Sequence, residues 1–170
     1  MDFVEDIKNG AIFIYPTDTI YGIGCDATNK GAVQLLRDLK YRDKNKPLSV
    51  IAPSIGWIKK NCIVENKILQ KYLPGPYTLI LKKKNPKFLK QVAPGDTLGV
   101  RIPDSEFTKL VQKAKIPFIT TSVNFAGEPF ATQISDIDKK ILDSANIVIG
   151  VGKLDGRPST LVIDGKEIKR

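Results

Sequence analysis

Histidine is missing from all 170 residues of the chain. That absence excludes histidine-dependent catalytic triads, histidine general bases and histidine-ligated metal centres together. Cysteine is nearly absent too. Cys25 and Cys62 stand in unrelated contexts without C-x-x-C spacing, so neither a disulfide framework nor a cysteine-rich metal site has support, and reduced thiols are expected. No apolar run approaches the ~20 residues that cross a bilayer. Residues 1–10 carry acidic groups before any apolar stretch and lack the basic start of a signal peptide, so the expected location is the cytoplasm. The phosphate-binding patterns G-x-x-x-x-G-K-S/T and G-x-G-x-x-G are missing as well; Gly22-Ile23-Gly24 is only a fragment of the second.

What is present is an ordinary globular composition with a strong charge bias. At 42% hydrophobic and 26% charged residues, a chain of this length fits one compact domain, 1–170, able to bury a core without metal or disulfide staples. The net charge of +9 points to an anionic partner: nucleotide, nucleic acid or an acidic surface. The run Lys82-Lys83-Lys84 fits such a surface and equally fits simple solvation. Arginine is more informative, because only five of the 27 lysines and arginines are arginine. Arg42, Arg101 and Arg157 fall in loop-like segments, where a guanidinium can bind carboxylate or phosphate bidentately.

Apolar segments change character every ten to fifteen residues, the rhythm of an α/β fold. Asp2 caps a short helix through Lys8, and Ala11–Tyr15 reads as a buried strand stopped by Pro16. Asn29 caps a helix whose Val33, Leu35, Leu36 and Leu39 form an apolar face running toward Lys40. Leu48–Ala52, Tyr77–Leu81, Leu98–Ile102, Pro117–Thr121, Ile147–Ile149 and Thr160–Ile163 read as strands. Helices are expected near Trp57, over Val64–Leu73, after Pro103-Asp104 and over Ile134–Leu142. Several polar motifs therefore sit at strand ends, where open α/β sheets bind ligands.

Five of these motifs could carry chemistry, and each has an ordinary structural alternative. Lys40-x-Arg42-x3-Lys46-Pro47 places three cations at a helix end, either to surround a polyphosphate or to sit solvated against the helix dipole. Thr17-Asp18-Thr19 either offers hydroxyls and a carboxylate to a ligand or forms a capped turn. Ser122-x-Asn124 is a polar pair at a strand end or a common turn. Arg101, inside an apolar strand, needs a partner to offset desolvation: a substrate carboxylate or an internal aspartate. Gly156-Arg157-Pro158-Ser159-Thr160 either closes a site with the Ser159 hydroxyl or simply turns.

In order along the chain, PTDTIYGIG at 16–24, KxRxxxKP at 40–47, PGPYT at 74–78, GVRIPD at 99–104, TSVNFAGEP at 121–129 and PSTLVID at 158–164 resemble the YrdC-like (TsaC) threonylcarbamoyl-AMP synthase family. The resemblance implies a single-domain α/β fold, a twisted mixed sheet with flanking helices around a concave basic cavity. It implies formation of L-threonylcarbamoyladenylate and pyrophosphate from L-threonine, bicarbonate and ATP, for N6-threonylcarbamoyladenosine at position 37 of tRNA. Lys40, Arg42 and Lys46 are then the catalytic residues, binding ATP with Asn124 and Thr132, while Thr19, Arg101, Ser122 and Ser159 surround threonine. Mg²⁺ is expected with the nucleotide, without an assigned protein ligand. Downstream proteins that transfer the threonylcarbamoyl group to tRNA are the implied partners.

Two departures from the family pattern stand out. The chain ends at Arg170, so the extra C-terminal domain of longer members is not expected, and Lys169-Arg170 lies where some members place a nucleotide-contacting arginine. Ile51 stands where some members have a histidine near the threonine site. Two rival readings remain. An RNA-binding module, for tRNA or double-stranded RNA, would use the same basic cavity, but Tyr41 is the only aromatic residue among the loop cations. A carbamoyl-transfer domain like those of hydrogenase-maturation proteins would normally belong to a longer chain.

Overall fold

The computed structural model describes residues 1–170 and contains ten strands and six α-helices. The strands are β1 (Phe13–Pro16), β2 (Tyr21–Gly24), β3 (Ser49–Ile51), β4 (Cys62–Ile63), β5 (Tyr77–Lys83), β6 (Thr97–Arg101), β7 (Phe118–Ser122), β8 (Ile147–Val148), β9 (Thr160–Ile163) and β10 (Lys166–Ile168). The helices are α1 (Phe3–Lys8), α2 (Lys30–Leu39), α3 (Ile55–Asn61), α4 (Asn66–Tyr72), α5 (Glu106–Ala114) and α6 (Lys139–Ser144). One mixed sheet runs β10-β9-β5-β6-β3-β7-β2-β1-β8, with β4 paired to β5. The pairs β1/β8, β3/β6 and β5/β9 are parallel and the others antiparallel.

Side chains alternate across a strand, and here the alternation sorts the apolar residues into two cores. Ile14, Val50 and Ile119 join the larger core with Val33 and Leu36 of α2 and Leu69 of α4. Their neighbours Phe13, Tyr15, Ile51 and Phe118 point the other way, onto Ile7 of α1 and Phe107 and Val111 of α5. Tyr15 stacks on Phe107 at 4.0 Å between ring centroids, and Phe118 meets both edge-on. Ile51 is fully buried in this aromatic core.

Register also explains the concavity. Gly99, Ser49 and Thr120 lie opposite one another across β6, β3 and β7, and Gly22 of β2 lies opposite Ser122 of β7. These small residues share the sheet face of Ile51 and Phe118 but lie farther along their strands, so beyond the aromatic core the face is hollow. At Gly24 the close approach is backbone to backbone: an added Cβ would sit 1.6 Å from the Ile119 carbonyl oxygen.

Three expectations change. The segment read as one helix over Ile134–Leu142 is a 3₁₀ turn, Ile134–Asp136, followed by α6, because the Asp138 carboxylate caps Lys140 N and starts a new helix. The strands β2, β4 and β10, not anticipated from the sequence, are two to four residues long, too short to show a period. Lys82-Lys83-Lys84 is no solvated stripe, since Lys83 is buried and donates to the carbonyls of Phe88 and Ala93.

Candidate active site

Beyond the hollow face lies a cavity of about 370 Å³, walled mostly by polar groups. Its floor is Gly22, Ser49, Thr78, Thr120 and Ser122 from four strands, β2, β3, β5 and β7. Three guanidinium groups reach the wall, Arg42, Arg101 and Arg170, against one carboxylate, Glu128. The cavity is therefore a positively charged hollow rimmed by hydroxyls, suited to an anion with hydrogen-bonding groups.

Of the residues anticipated from the sequence, Thr19, Arg42, Arg101, Ser122, Asn124 and Ser159 all line this cavity. Lys40, Lys46 and Thr132 do not. Lys40 caps the end of α2 and is only 2% exposed; its ammonium turns inward to the Ser122 carbonyl and the Thr121 hydroxyl. Burial, with Arg42 nearby, pushes its pKa down to about 7. Lys46 is solvent-exposed at the loop surface. Thr132 is half-buried and bound through its backbone NH and hydroxyl to Asp136. Only the exposed part of the basic loop, Lys44 and Lys46, fits the solvated helix end that the sequence also allowed.

Arg101 uses one nitrogen internally and keeps capacity for more. Its Nη2 donates to Asp18 Oδ1 at 2.6 Å in a nearly buried ion pair, Nη1 makes a long 3.5 Å contact to the Thr19 hydroxyl, and Nε has no partner. Burial lowers its pKa, and Asp18 opposes the shift. Both sequence alternatives for Arg101 thus meet in one place, because an internally paired arginine also faces the cavity. The other Asp18 oxygen accepts from Asp104 N at 2.9 Å, so Asp18 ties the turn at 17–20 to the start of the α5 segment. The threonines of that turn do form a capped structure: Thr17 donates its hydroxyl to Ile20 O and its Oγ1 accepts Thr19 N.

Two other walls are braced by cations. Arg170 donates from Nε to the Ser159 carbonyl and from Nη2 to its hydroxyl, at 2.9 and 2.7 Å. The Ser159 hydroxyl also lies 2.6 Å from that of Thr78, across the β5/β9 pair. Arg42 donates to Pro47 O at 2.8 Å, and burial lowers its pKa. Ser122 donates to Asn124 Oδ1 at 2.6 Å, and the Asn124 amide reaches Glu128 O. Tyr41, in the left-handed region at φ 50°, stacks on Phe125 at 5.3 Å and joins the basic loop to the loop at 123–130. Thr78, and the pairing of Asp18 with Arg101, escaped the sequence reading because they depend on contacts between distant parts of the chain. Arg170 was anticipated through the family resemblance as a position for a nucleotide-contacting arginine, but its contact with Ser159 was not.

No three His, Cys, Asp or Glu side chains gather into a metal site, and no helix is long and apolar enough to cross a membrane. The sequence profile of the Sua5/YciO/YrdC proteins, described as telomere recombination, matches residues 5–169. A Methanocaldococcus jannaschii protein named provisionally as a threonylcarbamoyl-AMP synthase is 38% identical over 93% of this chain and 76% of its own length. The Homo sapiens protein named threonylcarbamoyl-AMP synthase is 30% identical over 91% of this chain, which spans 56% of that protein. Pyrococcus abyssi Sua5, solved in complex with L-threonine, superimposes with a TM-score of 0.84 at 25% identity, over 96% of this chain and 50% of that one. A match spanning nearly the whole sequence, in a fold shared with Sua5, leaves one assignment: the chain belongs to the Sua5/YciO/YrdC family.

Proposed function

We propose that this chain is a threonylcarbamoyl-AMP synthase, forming L-threonylcarbamoyladenylate and pyrophosphate from L-threonine, bicarbonate and ATP for the N6-threonylcarbamoyl modification of tRNA. The observation that carries the reading is the cavity itself: three guanidinium groups and a set of hydroxyls facing one carboxylate, in a chain related to proteins of that name. The amine of threonine takes up bicarbonate with loss of water to give a carbamate. A carbamate oxygen then attacks the α-phosphorus, the bond to the β-phosphate oxygen breaks, and pyrophosphate leaves.

Such a displacement needs positioning and charge stabilisation more than a covalent protein group, which suits a site without histidine. Arg101 holds the threonine carboxylate through nitrogens not committed to Asp18, a grip shared with an internal anion rather than a free fork. Hydroxyls of Thr19, Thr78 and Ser159 select the threonine side chain. Arg42 and Arg170 on the cavity wall take the phosphates, joined by Lys46 from the exposed loop; Asn124 lines the nucleotide side, and Ser122, anticipated beside threonine, is hydrogen-bonded to it. Lys40 acts from behind by fixing the Ser122 carbonyl, and Thr132 stays at the periphery. Mg²⁺, bound with ATP, would supply charge neutralisation at the phosphates. Glu128, the one carboxylate on the wall, is the residue able to add a protein oxygen to it.

The test is pyrophosphate release from purified chain with ATP, bicarbonate and L-threonine, each omitted in turn. Turnover requires all three, and Arg42→Ala lowers kcat/KM by about 100-fold while leaving the fold intact. Turnover without threonine, or none in the complete mixture, refutes the assignment. The RNA-binding reading ranks lower because Lys83, the middle residue of the lysine run, is buried and committed to carbonyls.

A further inference from the structure

Arg37 drew no attention in the sequence because it sits within a helix, outside every motif. In the structure it is 2% exposed, in the last turn of α2, and it has no carboxylate partner. All of its hydrogen bonds go to backbone carbonyls. Nε and Nη2 donate to Gln91 O at 3.3 and 3.0 Å, and Nη2 donates to Val92 O at 2.9 Å. Nη1 donates to Asp43 O at 3.1 Å and to Lys46 O at 2.8 Å. One planar fork thus joins the helix, the segment at 91–92 and both ends of the tight part of the basic loop.

The loop's other bonds are mostly its own. Lys46 N donates to Asp43 O, Asn45 N to Asp43 Oδ1, and Arg42 Nη2 to Pro47 O. Those bonds shape the loop without anchoring Asp43 or Lys46 to the body of the protein. Anchoring there falls to Arg37, aided after the loop by Leu48 N, which donates to Val92 O at 2.9 Å. The anchored segment is itself tied down, since the Gln91 amide donates to Ala27 O at 3.0 Å. Holding the Lys46 carbonyl inward keeps that residue's side chain outward and fixes Pro47, whose carbonyl aims the Arg42 guanidinium at the cavity.

From this we infer that Arg37 is a positioning residue for anion binding: it holds the loop at 41–47 in the shape that presents Arg42 and Lys46 to a polyphosphate. The inference rests on the synthase reading for the identity of the ligand, not for the loop's anchoring. A lysine at 37 cannot reproduce the fork, because a single ammonium cannot span carbonyls on two sides. The opposite wall, built by Thr78 on β5, Arg101 on β6 and Ser159 just before β9, makes no hydrogen bond with Arg37, so the two substrates should respond differently.

Three measurements on wild type, Arg37→Lys and Arg37→Met test it. In the ligand-free chain, amide exchange at Arg42 and Lys46 accelerates at least tenfold in Arg37→Lys, with Ile14 and Ile23 unchanged. In steady-state kinetics, KM for ATP rises about threefold to tenfold in Arg37→Lys and more in Arg37→Met, with KM for threonine within twofold. Calorimetric affinity for inorganic triphosphate falls in parallel with that for ATP. If Arg37→Met does not fold, Arg37→Lys carries the same comparisons. Unchanged loop exchange in Arg37→Lys overturns the inference, as does an equal rise in both KM values, which would mark Arg37 as a general packing residue. If wild type shows no turnover, the synthase reading fails alone, and loop exchange with triphosphate affinity still decides the role of Arg37.

Discussion

Lys40 gives the sharpest quantitative test, because its buried ammonium links the site to fold stability. Burial, reinforced by Arg42, pulls its pKa in the folded chain from 10.5 down to about 7. The sign follows from proton counting. Below pH 7 both folded and unfolded states carry the proton, and the full penalty of burying the charge applies. Between pH 7 and 10.5 the unfolded state binds more protons, so stability rises with pH; above 10.5 the effect is complete. From pH 7.0 to 8.5 the gain is about 2 kcal/mol for a single site titrating at about 7. The upper limit is set by Cys25 and Cys62, whose pKa values burial raises to about 12 and about 11, because thiol ionisation in the unfolded chain works in the opposite direction from about pH 9 upward.

The assay is urea unfolding of wild type and Lys40→Met at pH 7.0 and 8.5. The substitution strands the Ser122 carbonyl and the Thr121 hydroxyl, a pH-independent loss of about 1–3 kcal/mol per unsatisfied group. The pH-dependent gain should therefore appear in wild type and vanish in the variant, whatever their absolute stabilities. Equal pH dependence in the two proteins would refute the reasoning. It would mean that Lys40 keeps its proton through this range, stabilised by its carbonyl and hydroxyl partners.

Two further outcomes follow from the geometry. Asp18→Asn leaves Arg101 buried without its counter-charge and should destabilise the chain by about 3 kcal/mol in chemical denaturation; a loss under about 1 kcal/mol would show that other groups compensate the charge. Gly156→Ala would place a Cβ 2.0 Å from Thr19 O, forcing the loop that carries Ser159 away from the turn at 17–20. KM for threonine should rise about tenfold with KM for ATP within twofold, and equal changes in both would refute that link.

The sequence made the strands of the central sheet readable wherever an apolar run was bounded by a breaker, as at Phe13–Pro16 before the turn and Thr160–Ile163 after Pro158. Strand β2 was hidden because Tyr21–Gly24 alternates glycine with apolar residues, and its glycines serve packing: Gly24 admits the Ile119 carbonyl. Residues in ordered motifs came to the cavity where a strand end carried them, as Arg101 and Ser122 show. Lys40, which the sequence offered as an ATP-binding cation or a solvated helix end, instead turns inward, because the neighbouring β7 strand presents a carbonyl within its reach. Asp18 pairs with a residue more than fifty positions away, and Arg37 joins its own loop to a segment equally distant, so no local spacing could reveal these roles.

The way these cations are held separates a binding site from a structural ion-pair network. Arg42 is fixed by Pro47 O, Arg170 by the carbonyl and hydroxyl of Ser159, Lys40 by Ser122 O and Thr121 Oγ1, and Arg37 by four carbonyls. Only Arg101 has a carboxylate. A carbonyl dipole orients a cation without cancelling its charge, so the positive potential remains in the cavity, opposed on its wall by Glu128 alone. The same arrangement is unfavourable when no ligand is bound: burial lowers the pKa values of Arg37, Lys40, Arg42, Arg101 and Arg170. An anionic ligand relieves that strain where carboxylate partners would have removed it permanently. At a hundredfold excess over its dissociation constant, such a ligand adds about 2.7 kcal/mol of stability. In a +9 chain most exposed cations can relax into solvent; those around the cavity are held, by backbone and hydroxyl groups and in Arg101 by Asp18, and that fixed geometry is what makes them a receptor for phosphate and carboxylate.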